Sequence, residues 1–251
     1  MSKHLKGQDA VVVFSGGQDS TTCLGWAIQK FNRVVALSFN YGQKHSIELQ
    51  QASKIAKDLG VEHYVMDVSL LNQLAPNALT RTDIEVVNGK DVKDGEEPNT
   101  VVRGRNGLFL WLASIYASTH GIENVVTGVC ETDFSGYIDC RDVFIKSLNV
   151  AIGLGMDDKI TIHTPLMFLN KVETWELAQE CNVLDTVIKD SHTCYQGDRT
   201  SLLGCGECPA CHLRNRSLHQ FAQTHEVNLE EYGVNTTELQ TLVDKYDKHD
   251  K

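Results

Sequence analysis

The sequence is poor in three things, and each shortage removes a class of protein. Only 4 of its 251 residues are proline, which sets it apart from proline-rich linkers and fibrous chains. Cations are few as well: 23 Lys and Arg face 33 Asp and Glu, for a formal net charge of −10. Polynucleotide binding rests on Lys and Arg contacts to phosphates, so no direct nucleic-acid partner is expected. Nor is there a run of about 18 apolar residues, so no membrane span is expected. The polar start, Met1–Ala10, lacks the apolar core of a secretory signal, and the expected compartment is the cytoplasm.

The 41% of hydrophobic residues suffices for an ordinary globular core, and their spacing tells where it lies. Ala10–Phe14 is a short β-branched run followed by glycines; Asp19–Lys30 then carries Leu24, Ala27 and Ile28 at helical spacing. The alternation repeats with Val34–Phe39, Ser46–Leu59 ending at Gly60, and His63–Val68. It resumes with Leu108–His120, Asn124–Val129, Asp142–Leu154 and Lys159–His163. Strand and helix in strict turn predict an α/β fold with a parallel sheet. Between these segments, 82–99 is charged and aperiodic and is expected as a mobile lid. Beyond Pro165 the pattern turns helical, with Lys171–Cys181 and Leu213–His225, and Tyr246–Lys251 reads as a frayed end. The expected division is 9–170 as a nucleotide- and substrate-binding domain, 171–225 as a helical metal-bearing region, and 226–251 as a terminal helix and tail.

The first strand-to-helix loop, Ser15-Gly16-Gly17-Gln18-Asp19-Ser20, places free backbone N–H groups and a helix dipole where an anion would sit. It lacks the lysine of a Walker A loop, which argues against kinases and motor ATPases. Ser-Gly-Gly-x-Asp-Ser resembles the signature of the PP-loop ATP pyrophosphatases. That resemblance implies a Rossmann-like, adenine-nucleotide-hydrolase-like domain that binds the pyrophosphate part of ATP and leaves AMP on the substrate. The ATP stretch it implies is Phe14, Ser15, Gly16, Gly17, Gln18, Asp19, Ser20, Thr21, Thr22, Cys23 and Leu24, with Ser15, Asp19 and Ser20 in the chemistry. Gly153-Leu154-Gly155 follows a helix and lacks a dinucleotide fingerprint's third glycine; it reads as a helix-ending turn.

Within that superfamily, several further segments resemble the 7-cyano-7-deazaguanine synthases: Phe39-Asn40-Tyr41-Gly42-Gln43-Lys44-His45, Gly104-Arg105-Asn106, Thr164-Pro165-Leu166 and Asn170-Lys171-Val172-Glu173. The strongest is Gly128–Tyr137 with its continuation to Asp142. The likeness runs from about Val11 to Leu218. It implies nucleotide contacts at Tyr41 and Gln43. An arginine at a helix start is badly placed for the dipole unless an anion shares the site, which makes Arg105 a candidate for phosphate or carboxylate. Glu131, Asp133, Ser135, Tyr137 and Asp142 offer the acceptors and the aromatic face that a flat purine-like base wants. Asp139 or Asp142 is also expected to cap the helix that follows. Cys130, Cys140 and Trp175 read as buried side chains, and Lys171 as able to approach phosphate. The resemblance further implies a deazapurine carboxylate and ammonia as substrates, ATP with Mg2+ as the driving pair, and a homodimer.

Four of the 8 cysteines, Cys194, Cys205, Cys208 and Cys211, form C-x10-C-x2-C-x2-C. Four thiolates in that compass can surround one tetrahedral Zn2+. A structural zinc is expected, with a [4Fe–4S] cluster as the competing reading. Two rival functions remain: a tRNA-thiolating PP-loop enzyme, which wants a basic face and a catalytic cysteine pair, and a non-catalytic nucleotide-binding zinc module.

Overall fold

The computed structural model describes residues 5–42, 47–74, 101–132 and 137–249; the expected lid at 82–99 lies outside them. Five strands run β1 Asp9–Val13, β2 Arg33–Asn40, β3 Glu62–Asp67, β4 Asn124–Val126 and β5 Thr161–His163. All pairings are parallel and the order is β3-β2-β1-β4-β5. Between and after them come α1 Gln18–Lys30, α2 Ile47–Asp58, α3 Leu70–Leu74, α4 Arg105–Thr119 and α5 Asp142–Met156. The chain continues with α6 Lys171–Glu180, α7 Leu184–Lys189, α8 Pro209–Thr224 and α9 Thr236–His249.

Parallel strands need crossover connections, and right-handed crossovers put helices on both faces. The side chains of β1 alternate accordingly. Val11, with Val35, Leu37 and Val125, packs against Phe109, Leu110 and Ala113 of α4 and Ile152 of α5. Ala10 and Val12, with Ala36 and Val126, pack on the opposite face against Leu24 and Ala27 of α1 and Ala52 and Ile55 of α2. This is the α/β parallel-sheet fold read from the sequence. A third cluster gathers Trp175, Val187, Leu218, Phe221, Leu239 and Val243 from α6 to α9. Trp26 and Leu59 are packed against both the second and the third cluster and join them.

Two local expectations differ. Gly153 and Gly155 lie inside α5, which stops at Met156 with Asp157 left-handed at its C-cap. Gly155 faces the Trp111 ring, where an added Cβ would come within 3.4 Å, so close helix packing explains it. Tyr246 is not frayed: it sits in α9, 3% exposed, with its hydroxyl donating to Gly206 O. The third cluster extends to α9 because Leu239 and Val243 supply an apolar stripe. Among the described residues no helix is long and apolar enough to cross a membrane.

Candidate active site and metal centre

Strand order reverses between β1 and β4, the place where open α/β sheets bind ligands at the strands' carboxyl ends. A cavity of about 330 Å³ opens there, within the size range of small-molecule sites. Its floor is Val13–Ser15 after β1 and Thr127–Cys130 after β4. Phe39 and Tyr41 at the end of β2, with Glu48 of α2, form one side; Arg105, Asn106 and Phe109 of α4 form another.

The loop after β1 is held by its own hydroxyls. Ser15 N donates to Ser20 Oγ (3.2 Å), and Ser20 Oγ donates to Gly17 O (3.2 Å). Gly16 has φ +79°, and a Cβ there would lie 2.8 Å from Ala52 N, so this turn against α2 requires glycine. The first helical bond of α1 runs from Thr21 N to Gly17 O (3.0 Å), which leaves the N–H groups of Gln18, Asp19 and Ser20 outside the ladder. Phe14, Ser15, Gly17, Gln18, Asp19 and Ser20 line the cavity. Gly16, Thr21, Thr22, Cys23 and Leu24 do not. The Thr21 and Thr22 hydroxyls donate back to Gly17 O and Gln18 O, the Cys23 thiol points to Thr127 O, and Leu24 is core.

Asp19 is bound by Lys171 across 152 residues, with Nζ at 2.9 and 2.7 Å from its two oxygens. The α6 N-cap makes this possible: Asn170 and Glu173 form a reciprocal capping box that fixes the helix start and hence the lysine beside it.

Arg105 opens α4, its guanidinium carbon 5.9 Å from the ring centres of both Tyr41 and Tyr137. An obligate cation between two aromatic rings is suited to hold a phosphate or carboxylate beside a flat ring. Asp139 accepts hydrogen bonds from Asn106 N and Nδ2, both 3.1 Å. It therefore satisfies the start of α4, not of the following helix. The start of α5 is satisfied by Glu131, whose Oε2 accepts from Asp142 N at 2.9 Å, while the Asp142 carboxylate pairs with Lys146. Neither Glu131 nor Asp142 lines the cavity, because the unpaired N–H groups of α5 and an i,i+4 lysine claim them. Tyr137 does line it; Gln43, Asp133 and Ser135 fall outside the described residues.

The cavity also has walls that the motif reading missed. Glu48 contributes a carboxyl that burial pushes up to about 7, against the pull of Arg105. His192, Thr193 and Tyr195 close the side facing the phosphate-type loop; their one sequence signal is that they flank the outlying cysteine, Cys194. Cys130 and Cys140 line the cavity too. Burial pushes the Cys140 thiol up to about 12, and Cys130 donates to Leu169 O. Cys140 is therefore not a poised thiolate.

The sulfurs of Cys194, Cys205, Cys208 and Cys211 lie within 4.8 Å of one another. Cys205 and Cys211 are 3.9 Å apart, and sulfurs around tetrahedral Zn2+ at about 2.3 Å have edges of about 3.8 Å. The N–H groups of Glu207 and Cys208 point at Cys205 Sγ, at 3.4 and 3.3 Å, which favours a thiolate there. Gly204, at φ +68°, leaves no room for a Cβ, which would stand 2.7 Å from Cys211 Sγ. Pro209 at the first position of α8 sets Cys208 as its N-cap and Cys211 in its first turn. The donor set fits a four-coordinate metal with no open position. His192 and His212 are not part of it.

The class follows from where the anion-binding groups sit: at the switch point of a doubly wound parallel sheet, in a loop without a Walker lysine, they mark a PP-loop type nucleotide-binding protein. A family model described as queuosine biosynthesis protein QueC matches residues 9–222, and the chain belongs to that family. It is 56% identical over 217 residues to the 7-cyano-7-deazaguanine synthase of Lysinibacillus sphaericus (strain C3-41), covering 86% of this chain and 97% of that one. It is equally similar, at 56% over 217 residues, to the 7-cyano-7-deazaguanine synthase of Bacillus subtilis (strain 168), covering 86% and 96%. Among solved structures, the NH3-dependent NAD synthetase from Campylobacter jejuni matches with a TM-score of 0.45 and 16% identity, over 99% of this chain and 90% of that one.

Proposed function

We propose that this chain converts 7-carboxy-7-deazaguanine and ammonia into 7-cyano-7-deazaguanine, with ATP as the dehydrating agent and AMP as the leaving group. The observation that carries this reading is one cavity joining an anion cradle, Ser15–Ser20, to a guanidinium set between Tyr41 and Tyr137. Family membership and the name borne by the 56%-identical relatives supply the product. A substrate carboxylate oxygen attacks the α-phosphorus of ATP, and the bond to pyrophosphate breaks. Ammonia then adds to the acyl carbon, the bond to AMP breaks, and a proton is released with the amide. A second ATP is attacked at its α-phosphorus by the amide oxygen, the bond to pyrophosphate breaks and one amide N–H proton leaves; the bond to AMP then breaks and the second N–H proton leaves, giving the nitrile.

In this scheme Ser15, Ser20 and the N–H groups of Asp19 and Ser20 hold the pyrophosphate as its charge grows. Asp19 is the carboxylate that would hold Mg2+, and the ion would offset the charge of the phosphates. Lys171, paired with Asp19, holds that carboxylate in place at the helix start. Arg105 orients the substrate carboxylate, and Tyr137, with Asp133, Ser135 and Gln43, belongs to base and nucleotide recognition. The four cysteines hold a structural Zn2+. A unit of residues 9–170 then carries the chemistry, while 171–225 and 226–251 carry the metal and the terminal helix.

The test is to mix metal-loaded protein with ATP, Mg2+, ammonium and 7-carboxy-7-deazaguanine and to follow products by mass spectrometry. Nitrile with AMP and pyrophosphate is expected; AMP with other acids alone would keep the chemistry and sink the substrate, and no AMP at all would leave a binding module.

The same reading includes a second copy of the chain as partner. Val143, Val150 and Leu154 share one face of α5 and are 68%, 61% and 80% exposed, and Ile115 of α4 and Ile138 are also exposed. An apolar patch of this kind is typical of a subunit contact. Sedimentation should show a dimer, and Val150→Asp a monomer that still binds ATP.

A further inference from the structure

The cysteine site and the phosphate-type loop are joined by one short strap, residues 191–195. Its middle is tied to the loop: His192 N donates to Gly16 O at 2.9 Å, and Thr193 Oγ1 accepts from Gln18 N at 3.4 Å. The strap is fixed to α8 on both sides of those bonds. Before them, Arg214 of α8, 4% exposed, donates to Ser191 Oγ at 2.8 Å and to Val187 O and Ile188 O at 3.0 and 3.1 Å. After them, Cys194 meets Cys211 of the same helix in the sulfur cluster. His192, Thr193 and Tyr195 meanwhile face the cavity. One end of the strap therefore has a hydrogen-bonded anchor to α8, and whatever holds the four sulfurs together draws the other end to the same helix.

We infer that the cysteine-bound metal positions the strap against the phosphate loop, so that metal and ATP bind cooperatively, each raising the other's affinity by the same factor, with Thr193 as the side chain that carries part of the coupling. This rests on the reading of the loop as an ATP site and goes beyond a purely structural role for the metal. Reciprocity is required of any such linkage. A coupling carried by one or two hydrogen bonds amounts to about five- to tenfold.

The experiment measures two affinities on the full chain. ATP binding is titrated by calorimetry on zinc-loaded and zinc-stripped protein. Zinc affinity is measured by competition with a chelator in the absence and presence of a non-hydrolysable ATP analogue. Equal factors of about five- to tenfold in the two titrations are expected. Thr193→Val, with its zinc in place by elemental analysis, should bind ATP several-fold more weakly and at least halve the coupling factor; Thr193→Ser should restore both. Equal ATP affinity with and without zinc, or a coupling that Thr193→Val leaves unchanged, overturns the inference even if ATP binds well. Failure of zinc-loaded wild-type protein to bind ATP would instead overturn the reading of the loop. Stripping that unfolds the tail does not decide the matter, because the Thr193 variants are compared fully loaded and must still show the loss and the rescue.

Discussion

The sheet and the cysteine knuckle solve the same problem by different means. Around β1, the residues Ala10, Val11, Val12, Leu24, Val35, Val125 and Val126 are fully buried, so apolar surface removed from water is enough to order the chain. Around Cys194–Cys211, the buried cluster consists of Cys194, Cys208, Ala210 and Cys211, with Tyr195 and Cys205 half-buried beside it. Beside the sulfurs the cluster holds one alanine and the edge of a tyrosine, and the neighbouring Leu202 and Leu203 pack into the third cluster instead. With a metal on the four sulfurs, the knuckle's order would draw on coordination, since metal-binding free energy becomes folding free energy, whereas the sheet's order draws on apolar burial alone.

Cutting one metal ligand should sharpen that contrast most. Cys208→Ser is expected to lose bound metal and about 5 kcal/mol or more of stability in the knuckle and α8, while the sheet retains its slow hydrogen exchange. Equal loss of protection in β1 would erase the distinction. Next in size, Asp19→Asn should lower kcat/KM for AMP formation by about 10²–10³, with stability changed by about 1 kcal/mol or less because Asp19 is partly exposed; steady-state assays beside thermal melts check both. Leu24→Ala should cost about 3 kcal/mol with metal content unchanged, read by denaturant titration and elemental analysis. A loss of metal in that variant would mean that the two regions fold as one.

The smallest effect is a pH slope. Burial raises the Glu48 carboxyl to about 7, with Arg105 pulling it down and Cys194 adding to the rise. A carboxyl raised in the folded state contributes stability that is present below its ordinary value, near 4.5, and is lost as pH climbs through 7. Glu48→Gln should therefore gain on wild type between pH 4.5 and 7.5, by an amount on the order of 1–3 kcal/mol. Melts at the two pH values that show a constant difference would remove Glu48 from the cavity's electrostatics.

How much of this was legible depended on distance along the chain. The loop after β1 was readable because its chemistry is local: glycines at a strand end, hydroxyls at both sides and an acid at a helix start lie within six consecutive residues. The parallel sheet was readable because short β-branched runs in strict alternation with segments of helical spacing are a short-range signal. The cysteine site was readable because C-x2-C-x2-C needs only one turn and a helix start.

By itself, then, the sequence determined which segments would be strands and helices, that a tight glycine- and hydroxyl-bearing turn would join β1 to α1, and that four sulfurs would converge. Tertiary structure alone decided that Lys171 would meet Asp19, that Glu131 and Asp142 would serve α5 instead of the cavity, and that His192–Tyr195 would form a wall of it. The physical reason is that hydrogen-bonding capacity and burial pattern are properties of neighbouring residues. Which of several equivalent partners a carboxylate or hydroxyl finds is settled only when elements more than a hundred residues apart are packed together.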